Sequence, residues 1–382
     1  LGKEHLRYDH FSPVSHPRIN NNESVFDIIS KKDLMLHFPY QTFNHYINWL
    51  REASMDPAVI AIRTTLYRVA RNSAVINALI NAALNGKQVI VNIELQARFD
   101  EKSNIYWSKK LEEAGVRVTF GIQGLKVHSK LTLISREENG ELAHYGAVGT
   151  GNFHEGTANV YSDLLMLTKN REINEDIWKV FDFFDNTYRN YSYKHLIVSP
   201  NFQRRKLSTL IDGEIKNAQR GREAYIILKI NSLVDQEMIK KLYEANNAGV
   251  KVKLIVRGIC SLIPGVPGQS ENIEAISIVD KYLEHSRIFV FANGGDELYY
   301  ISSADWMTRN LDHRIEVSSP VFDKDIQKEL MDIINIQLND NVKARIIDEK
   351  NSNKYKKTRS SDPVRSQIEL CNYYNGMSES KK

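Results

Sequence analysis

The sequence predicts an α/β protein built as two α/β domains in pseudo-symmetric tandem. Three observations lead there. Runs rich in β-branched residues alternate with helix-like runs over most of the chain. The alternation breaks and restarts near residues 190–202, around Ser199-Pro200. Three segments of the first half then recur in the second, in the same order.

Residues 1–30 are polar, carry Pro13, Pro17 and Asn20-Asn21-Asn22, and read as an irregular lead-in. AVIAIRTTLY (58–67) reads as a buried strand. Ser73 is placed to N-cap the helix that follows and Gly86 to end it. QVIVNIEL (88–95) is the next strand, a helix near 104–114 stops at Gly115, and VRVTFG follows as a strand. This β-α-β-α-β order predicts a largely parallel sheet. LTLIS (131–135) and HYGAVG (144–149) read as paired strands, and a helix over 172–189 closes the half. The second half opens with a helix over 203–219 that Gly221 ends, then the strand AYIILKI (224–230). Asp235 caps a helix running to Ala248-Gly249, and VKVKLIVRG (250–258) is a strand. Strands near 287–292 and 298–302 and a helix near 324–338 complete the plan. The expected divisions are a lead-in 1–30, a first domain 31–195, and a second domain 196–382 with a basic, solvated tail.

Composition narrows the function classes. At roughly 150 residues per domain, 382 residues suit two or three domains. With 42% hydrophobic and 26% charged residues the chain is globular, which excludes collagen-like and wholly disordered classes. No apolar run approaches the ~18 residues that span a bilayer. LGKEHLRYDH is not a secretory signal, and without an initiator Met it reads as a processed or excised chain. Two cysteines, Cys260 and Cys371, exclude a disulfide framework and a Cys-based zinc cluster. The expected compartment is the cytoplasm, with membrane association left open. The net charge of +4 is concentrated in residues 343–382, which hold ten Lys/Arg against five Asp/Glu. Any anion site in the body therefore depends on local placement. The four Trp and eighteen Tyr are scattered without a nucleic-acid recognition pattern. A GxxxxGK[ST] loop, the kinase HRD/DFG set and HExxH are all missing from the sequence.

The repeated segments carry the candidate chemistry. AALNGKQVIVNIEL resembles EANNAGVKVKLIVRG, HSKLTLI resembles HSRIFVF, and GTGNFHEGTANVYSDLL resembles SSADWMTRNLDHRIEV. The last pairing sets Asn152 against Asp305, Phe153 against Trp306 and Asp163 against Glu316. His128 and Lys130 at a strand start face one cleft, and His285 and Arg287 repeat the pattern. A His that attacks phosphorus needs a free nitrogen, an orienting group on the other nitrogen, and cations for the phosphoryl oxygens. Asp163 is the expected orienter of His128, and Glu316 that of His285. Arg68, Arg98 and Arg257 lie just past strand ends, where a phosphate cradle would form. Alternatively each pairs with a nearby carboxylate, such as Arg98 with Asp100 or Glu101. Gly149-Thr150-Gly151-Asn152 either offers N–H groups to an anion or is simply a tight turn.

The duplicated HxK/HxR segments resemble the phospholipase D superfamily, which implies two phospholipase D-like α/β domains in pseudo-symmetric tandem facing one site. A fuller match is narrower. DLMLHFPYQTF, IRTTLYR, GKQVIVNIELQARFDE, GLKVHSKL, GTGNFHEGTANVYSDLLMLT, SENIEAISIVDKYLEHSRI and SSADWMTRNLDHRIEV resemble the long-chain, histidine-phosphorylating polyphosphate kinases, over about residues 10–375. Phospholipase D proper carries an Asp five residues after the motif cation; here Ser135 and Ala292 stand there. The resemblance implies His128 as the phosphohistidine nucleophile, with His285 as a second site histidine. It implies ATP/ADP and polyphosphate contacts at Tyr161, Arg257, His285, Arg287 and Arg314, and a phosphate/Mg²⁺ site at Arg68 and Arg98. It further implies a homo-oligomeric full-length enzyme with an N-terminal and a head domain that find no match here, so this chain alone is expected to work weakly. A phospholipase D-like phosphodiesterase, acting without ATP, and a non-enzymatic polyanion-binding module are the competing readings.

Overall fold

The computed structural model describes residues 8–20, 22–94, 101–122, 124–357 and 362–379. In chain order, the first half runs α1 (Val25–Lys31), β1 (Leu34–Phe38), α2 (Asn44–Met55), β2 (Val59–Leu66), α3 (Ala74–Leu84), β3 (Gln88–Ile93), α4 (Glu101–Glu113), β4 (Arg117–Phe120), β5 (Lys126–Val127), β6 (Lys130–Glu138), β7 (Glu141–Gly149), α5 (Glu155–Ala158), β8 (Tyr161–Thr168) and α6 (Arg171–Asp185). The second half runs β9 (Ile197–Val198), α7 (Gln203–Gln219), β10 (Tyr225–Ile230), α8 (Gln236–Asn247), β11 (Lys251–Val256), β12 (Ile273–Ile278), β13 (Leu283–Glu284), β14 (Arg287–Phe291), β15 (Leu298–Ser302), α9 (Thr308–Asp312), β16 (Arg314–Ile315), β17 (Val317–Pro320), α10 (Lys324–Leu338), β18 (Ala344–Ile346) and α11 (Ser366–Glu379).

Local signals act as the sequence reading expects. Ser73 accepts from the Ile76 N–H at the start of α3, and Asp235 accepts from the Met238 N–H at the start of α8. Gly86 and Gly249 follow their helices with φ of 80° and 89°, a region that a side chain would strain.

The sheets are mixed rather than largely parallel. The first is ordered β1-β8-β7-β6-β2-β3-β4, and only β2, β3 and β4 run parallel. The reversal comes from the β6–β7 hairpin, whose two-residue turn, Asn139-Gly140, has positive φ at both positions (53° and 79°). That turn twists with the strands and returns the chain antiparallel. The second sheet, β18-β12-β11-β10-β14-β15-β17-β9, repeats the scheme: β10, β11 and β12 are parallel, and β14 returns antiparallel on β10.

Two further expectations are corrected. The lead-in is not irregular throughout, because Ser24 caps α1 within it. The basic tail is not simply a solvated surface: α11 buries Leu370, Cys371 and Tyr374 in an apolar core shared by both halves. Spacing of i, i+1 and i+4 puts these three on one helix face, which the surrounding charges conceal in the sequence.

The halves are joined by reciprocal strand exchange. β5 of the first half pairs in parallel with β16 of the second, Lys126 opposite Arg314 and Val127 opposite Ile315. β13 of the second half pairs in parallel with β8 of the first, Leu283 opposite Tyr161 and Glu284 opposite Ser162. Leu131, Val148 and Leu164 meet Ile288, Val290 and Ile315 in the core beneath this seam.

Candidate active site

Both histidines stand directly after the exchanged strands. The backbone N–H groups of His128 and Ser129 both donate to the carbonyl of Ile315, at 2.9 Å each. Those of His285 and Ser286 both donate to the carbonyl of Ser162, at 3.1 and 2.8 Å. Each histidine is thus tied to the strand that leads into an acid of the opposite half.

This crossing corrects the expected partners. Glu316 holds His128, with Oε2 at 2.8 Å from Nδ1. Asp163 holds His285, with both carboxylate oxygens at 2.9 Å from Nδ1. Within its own half each acid is held by a hydroxyl at an equivalent repeat position: Thr150 Oγ1 donates to Asp163 at 2.7 Å, and Ser303 Oγ to Glu316 at 2.5 Å. Asn310 Nδ2 adds a bond to the second Glu316 oxygen, at 2.6 Å. Thr150 and Ser303 align in the repeats, so the signal for them was present; nothing in the sequence marks Asn310.

The Gly149–Asn152 turn shapes the surroundings of Asp163. The Thr150 N–H is taken by the Leu164 carbonyl at 2.9 Å. A Cβ on Gly151 would lie 2.0 Å from Asp163 Oδ2, so the glycine makes room for that carboxylate.

The motif cations differ in a way that breaks the symmetry. Arg287 is anchored by Asp305, Nη2 to Oδ2 at 3.0 Å, and its Nη1 lies 3.2 Å from Nε2 of His285. Asn152 occupies the position matching Asp305 and brings no charge. Lys130 donates to the carbonyl of His128 and stands 5.4 Å from the centre of the Tyr67 ring. Among the described residues, no hydrogen bond engages Nε2 of His128.

Electrostatics follow from burial and these pairings. Burial drives His128 down to about 4, with Lys130 and Arg314 adding to the shift and Glu316 opposing it. Burial also takes Lys130 down to about 7. Burial would raise the Glu316 carboxyl, but His128 and Lys130 outweigh it and hold the group below its ordinary range. His285 is lowered by burial and by Arg287.

The remaining candidates fall into place around these pairs. Tyr161 sets its ring 5.2 Å from that of His285, and Tyr67, which sequence reasoning missed, sets its ring 5.3 Å from that of His128. Arg257 lies on the His285 side, where its Nε donates to Asn231 Oδ1 at 2.9 Å and to the Glu284 carbonyl at 2.8 Å. Arg68 follows Tyr67 just beyond β2, on the His128 side. Arg98 lies outside the described residues. Arg314, with Lys126, Arg309 and His313, lines an open groove of about 720 Å³ that reaches the β5–β16 pair ahead of His128.

Among the described residues no three His, Cys, Asp or Glu converge to hold a metal ion. Asp163, Glu316 and Asp305 are each engaged with His or Arg. The described side chains therefore do not form a protein cage for Mg²⁺. Among the same residues no helix is long and apolar enough to cross a membrane.

Two α/β halves that exchange strands around paired HxK and HxR motifs define a protein of the phospholipase D-like fold class. The crystal structure of phosphatidylserine synthase from Haemophilus influenzae has this fold, with a TM-score of 0.56 over 92% of the present chain at 10% identity. The chain belongs, more narrowly, to the polyphosphate kinase family: residues 24–190 match polyphosphate kinase C-terminal domain 1 and residues 196–367 match polyphosphate kinase C-terminal domain 2. It is 50% identical over 356 residues to the polyphosphate kinase of Escherichia coli O6:H1, covering 93% of this chain and 52% of that one. To that of Vibrio parahaemolyticus it is 48% identical, covering 98% and 54%. The crystal structure of polyphosphate kinase from Porphyromonas gingivalis superposes with a TM-score of 0.92 at 42% identity, over 98% of this chain and 57% of that one. The chain spans about half the length of the curated relatives it matches.

Proposed function

We propose that this chain carries the phosphoryl-transfer centre of an ATP–polyphosphate phosphotransferase, with His128 as the nucleophile. The observation that carries the reading is the state of His128: Nδ1 is held by Glu316, burial keeps the ring neutral at neutral pH, and Nε2 has no partner among the described residues. In the forward step the Nε2 lone pair forms a bond to the γ-phosphorus of ATP, and the bond to the β,γ-bridging oxygen breaks, so that ADP leaves with that electron pair. Positive charge then appears on the imidazole, and the Nδ1 proton stays shared with Glu316, which offsets it. In the second step a terminal oxygen of polyphosphate attacks the same phosphorus, the N–P bond breaks, and neutral His128 is regenerated. Both steps are reversible.

Lys130 and Arg314 stand beside His128 to receive the phosphoryl oxygens. The groove, in which Lys126, Arg309 and Arg314 with His313 outnumber the single acid Glu94, suits a linear polyanion such as the growing chain. Tyr161, Arg257 and Arg287 attend the second histidine on the nucleotide side. Mg²⁺ would arrive with the nucleotide phosphates and neutralise part of their charge; Arg68 and Arg98 are assigned to the same phosphates.

Labelling with γ-³²P-ATP tests this. An acid-labile, base-stable label that maps to His128 and vanishes in His128→Ala is the expected result. Label mapped to His285, or retained in His128→Ala, overturns the assignment.

A further inference from the structure

The C-terminal helix makes a set of buried polar contacts that the transfer chemistry does not use. The chain that leads into His285 bends at residues 280–282 and then enters β13, and Asp280, Tyr282 and Glu284 lie along this approach. The segment 365–367, where α11 begins, engages all three. Arg365 grips Asp280 with two bonds, at 2.8 and 2.6 Å. Gln367 pairs with the backbone of Tyr282 as a neighbouring strand would: Oε1 accepts from the N–H and Nε2 donates to the carbonyl, both at 2.8 Å. The same Nε2 donates to Glu284 Oε1 at 2.8 Å.

One helical stretch further on, Tyr374 reaches the other strand of the pair. Its hydroxyl donates to Glu329 Oε1 at 2.8 Å and lies 3.1 Å from Nδ1 of His37; Nε2 of His37 lies 3.0 Å from Ser162 Oγ. One tautomer satisfies every link, with Nδ1–H of His37 donating to Tyr374 and the Ser162 hydroxyl donating to Nε2. His37, Ser162 and Tyr374 are all buried. Ser162 is the residue whose carbonyl receives the His285 N–H, and Asp163 is next in the chain. The helix thus holds both β13, which delivers His285, and β8, which delivers Asp163.

We propose that Gln367 and Tyr374 are positioning residues for the His285–Asp163 pair. The proposal rests on the reading of His285 as part of the phosphoryl-transfer centre. A parallel pair of two-residue contacts has too few ladder bonds to fix a register alone; Arg257, Asn231, Lys229 and Gln337 hold the Glu284–His285 end from the second half, and the helix adds the constraint on Tyr282 and on β8. A small misplacement of an active-site group lowers the rate while leaving substrate binding largely intact.

The test uses Tyr374→Phe, which keeps the ring packed and removes only the hydroxyl, and Gln367→Leu. Tyr373→Phe is the control, since that hydroxyl bonds to Asp332 and makes no bond to His37 or Ser162 among the described residues. In the 382-residue chain, proton–nitrogen NMR follows the Nδ1–H signals of both active-site histidines. The first two variants are expected to broaden or shift the His285 signal and leave that of His128 in place; the control is expected to move neither. In the full-length enzyme they should lower kcat about tenfold with the nucleotide KM within about twofold. An unmoved His285 signal in both variants, or equal disturbance of both histidines, overturns the proposal. If the NMR result holds but the parent forms no phosphoenzyme, the functional reading fails and the positioning role stands.

Discussion

Glu316 and His128 lie 188 positions apart in sequence and meet at 2.8 Å across the seam between the halves. The mirrored contact, Asp163 with His285, spans 122 positions. Each active-site histidine therefore takes its carboxylate from the other half. Glu316→Gln should slow labelling of His128 by on the order of 10⁴-fold, the effect seen when a catalytic histidine loses the carboxylate on its Nδ1. Asp163→Asn should leave the His128 tautomer unchanged and disturb that of His285. Rapid-quench labelling and nitrogen NMR of the imidazoles check both; the reverse dependence would mean that the exchange of strands is not present in solution.

The pH dependence of transfer should be set by His128 and Lys130. With His128 at about 4, the nucleophile is neutral throughout the physiological range and the acid limb lies low. With Lys130 at about 7, the cation beside the phosphoryl group loses its charge as pH rises through neutrality, and the rate should fall there. Lys130→Arg keeps a charge at all these pH values. Its peak rate should be lower, because the larger group must enter a buried site, but its alkaline limb should move upward by more than about one pH unit. A pH–rate profile with an unmoved alkaline limb would assign that limb to another group.

Gly151→Ala should damage the second histidine without touching it. The added methyl would collide with the Asp163 carboxylate, whose position is set by Thr150 and His285. Overpacking of this kind costs about 1–3 kcal/mol. Denaturant unfolding should show that loss, and the His285 Nδ1–H signal should shift. A fully stable, fully active variant would show that Asp163 tolerates displacement.

Glu329 links stability to pH in the opposite direction from a salt-bridged acid. Burial raises its carboxyl to about 7 from an ordinary 4.5. Between those values the folded chain binds a proton that the unfolded chain has released. The contribution of the protonated form is complete below about 4.5 and is lost as pH rises through about 7. Glu329→Gln cannot ionise, and its amide oxygen can still accept from Tyr374. Relative to the parent it should gain stability from pH 4.5 up to about 7 and level off above that, by on the order of 3 kcal/mol at the plateau. Urea titrations at several pH values would measure this; a constant difference would show that Glu329 titrates normally.

Much of the molecule was legible before any coordinates. The α/β alternation, the caps Ser73 and Asp235, and helices such as Lys324–Leu338 follow from local periodicity and side-chain hydrogen bonding, which act within a few residues. The repeat exposed His128, Lys130, His285, Arg287, Asp163 and Glu316 as one set, because duplicated chemistry leaves matched residues at matched positions. Which acid serves which histidine could not be read in that way. Repeat symmetry is equally consistent with pairing inside each half and with pairing across them, and the choice rests on β5 pairing with β16 and β13 with β8 across the seam. The same holds for α11, whose polar and basic surroundings look solvated until Tyr374 and Gln367 are seen against β8 and β13. Local sequence specifies which segments form strands and helices, but the partner of a two-residue strand is chosen by the packing of everything around it, and here that packing places each acid against the histidine of the other half.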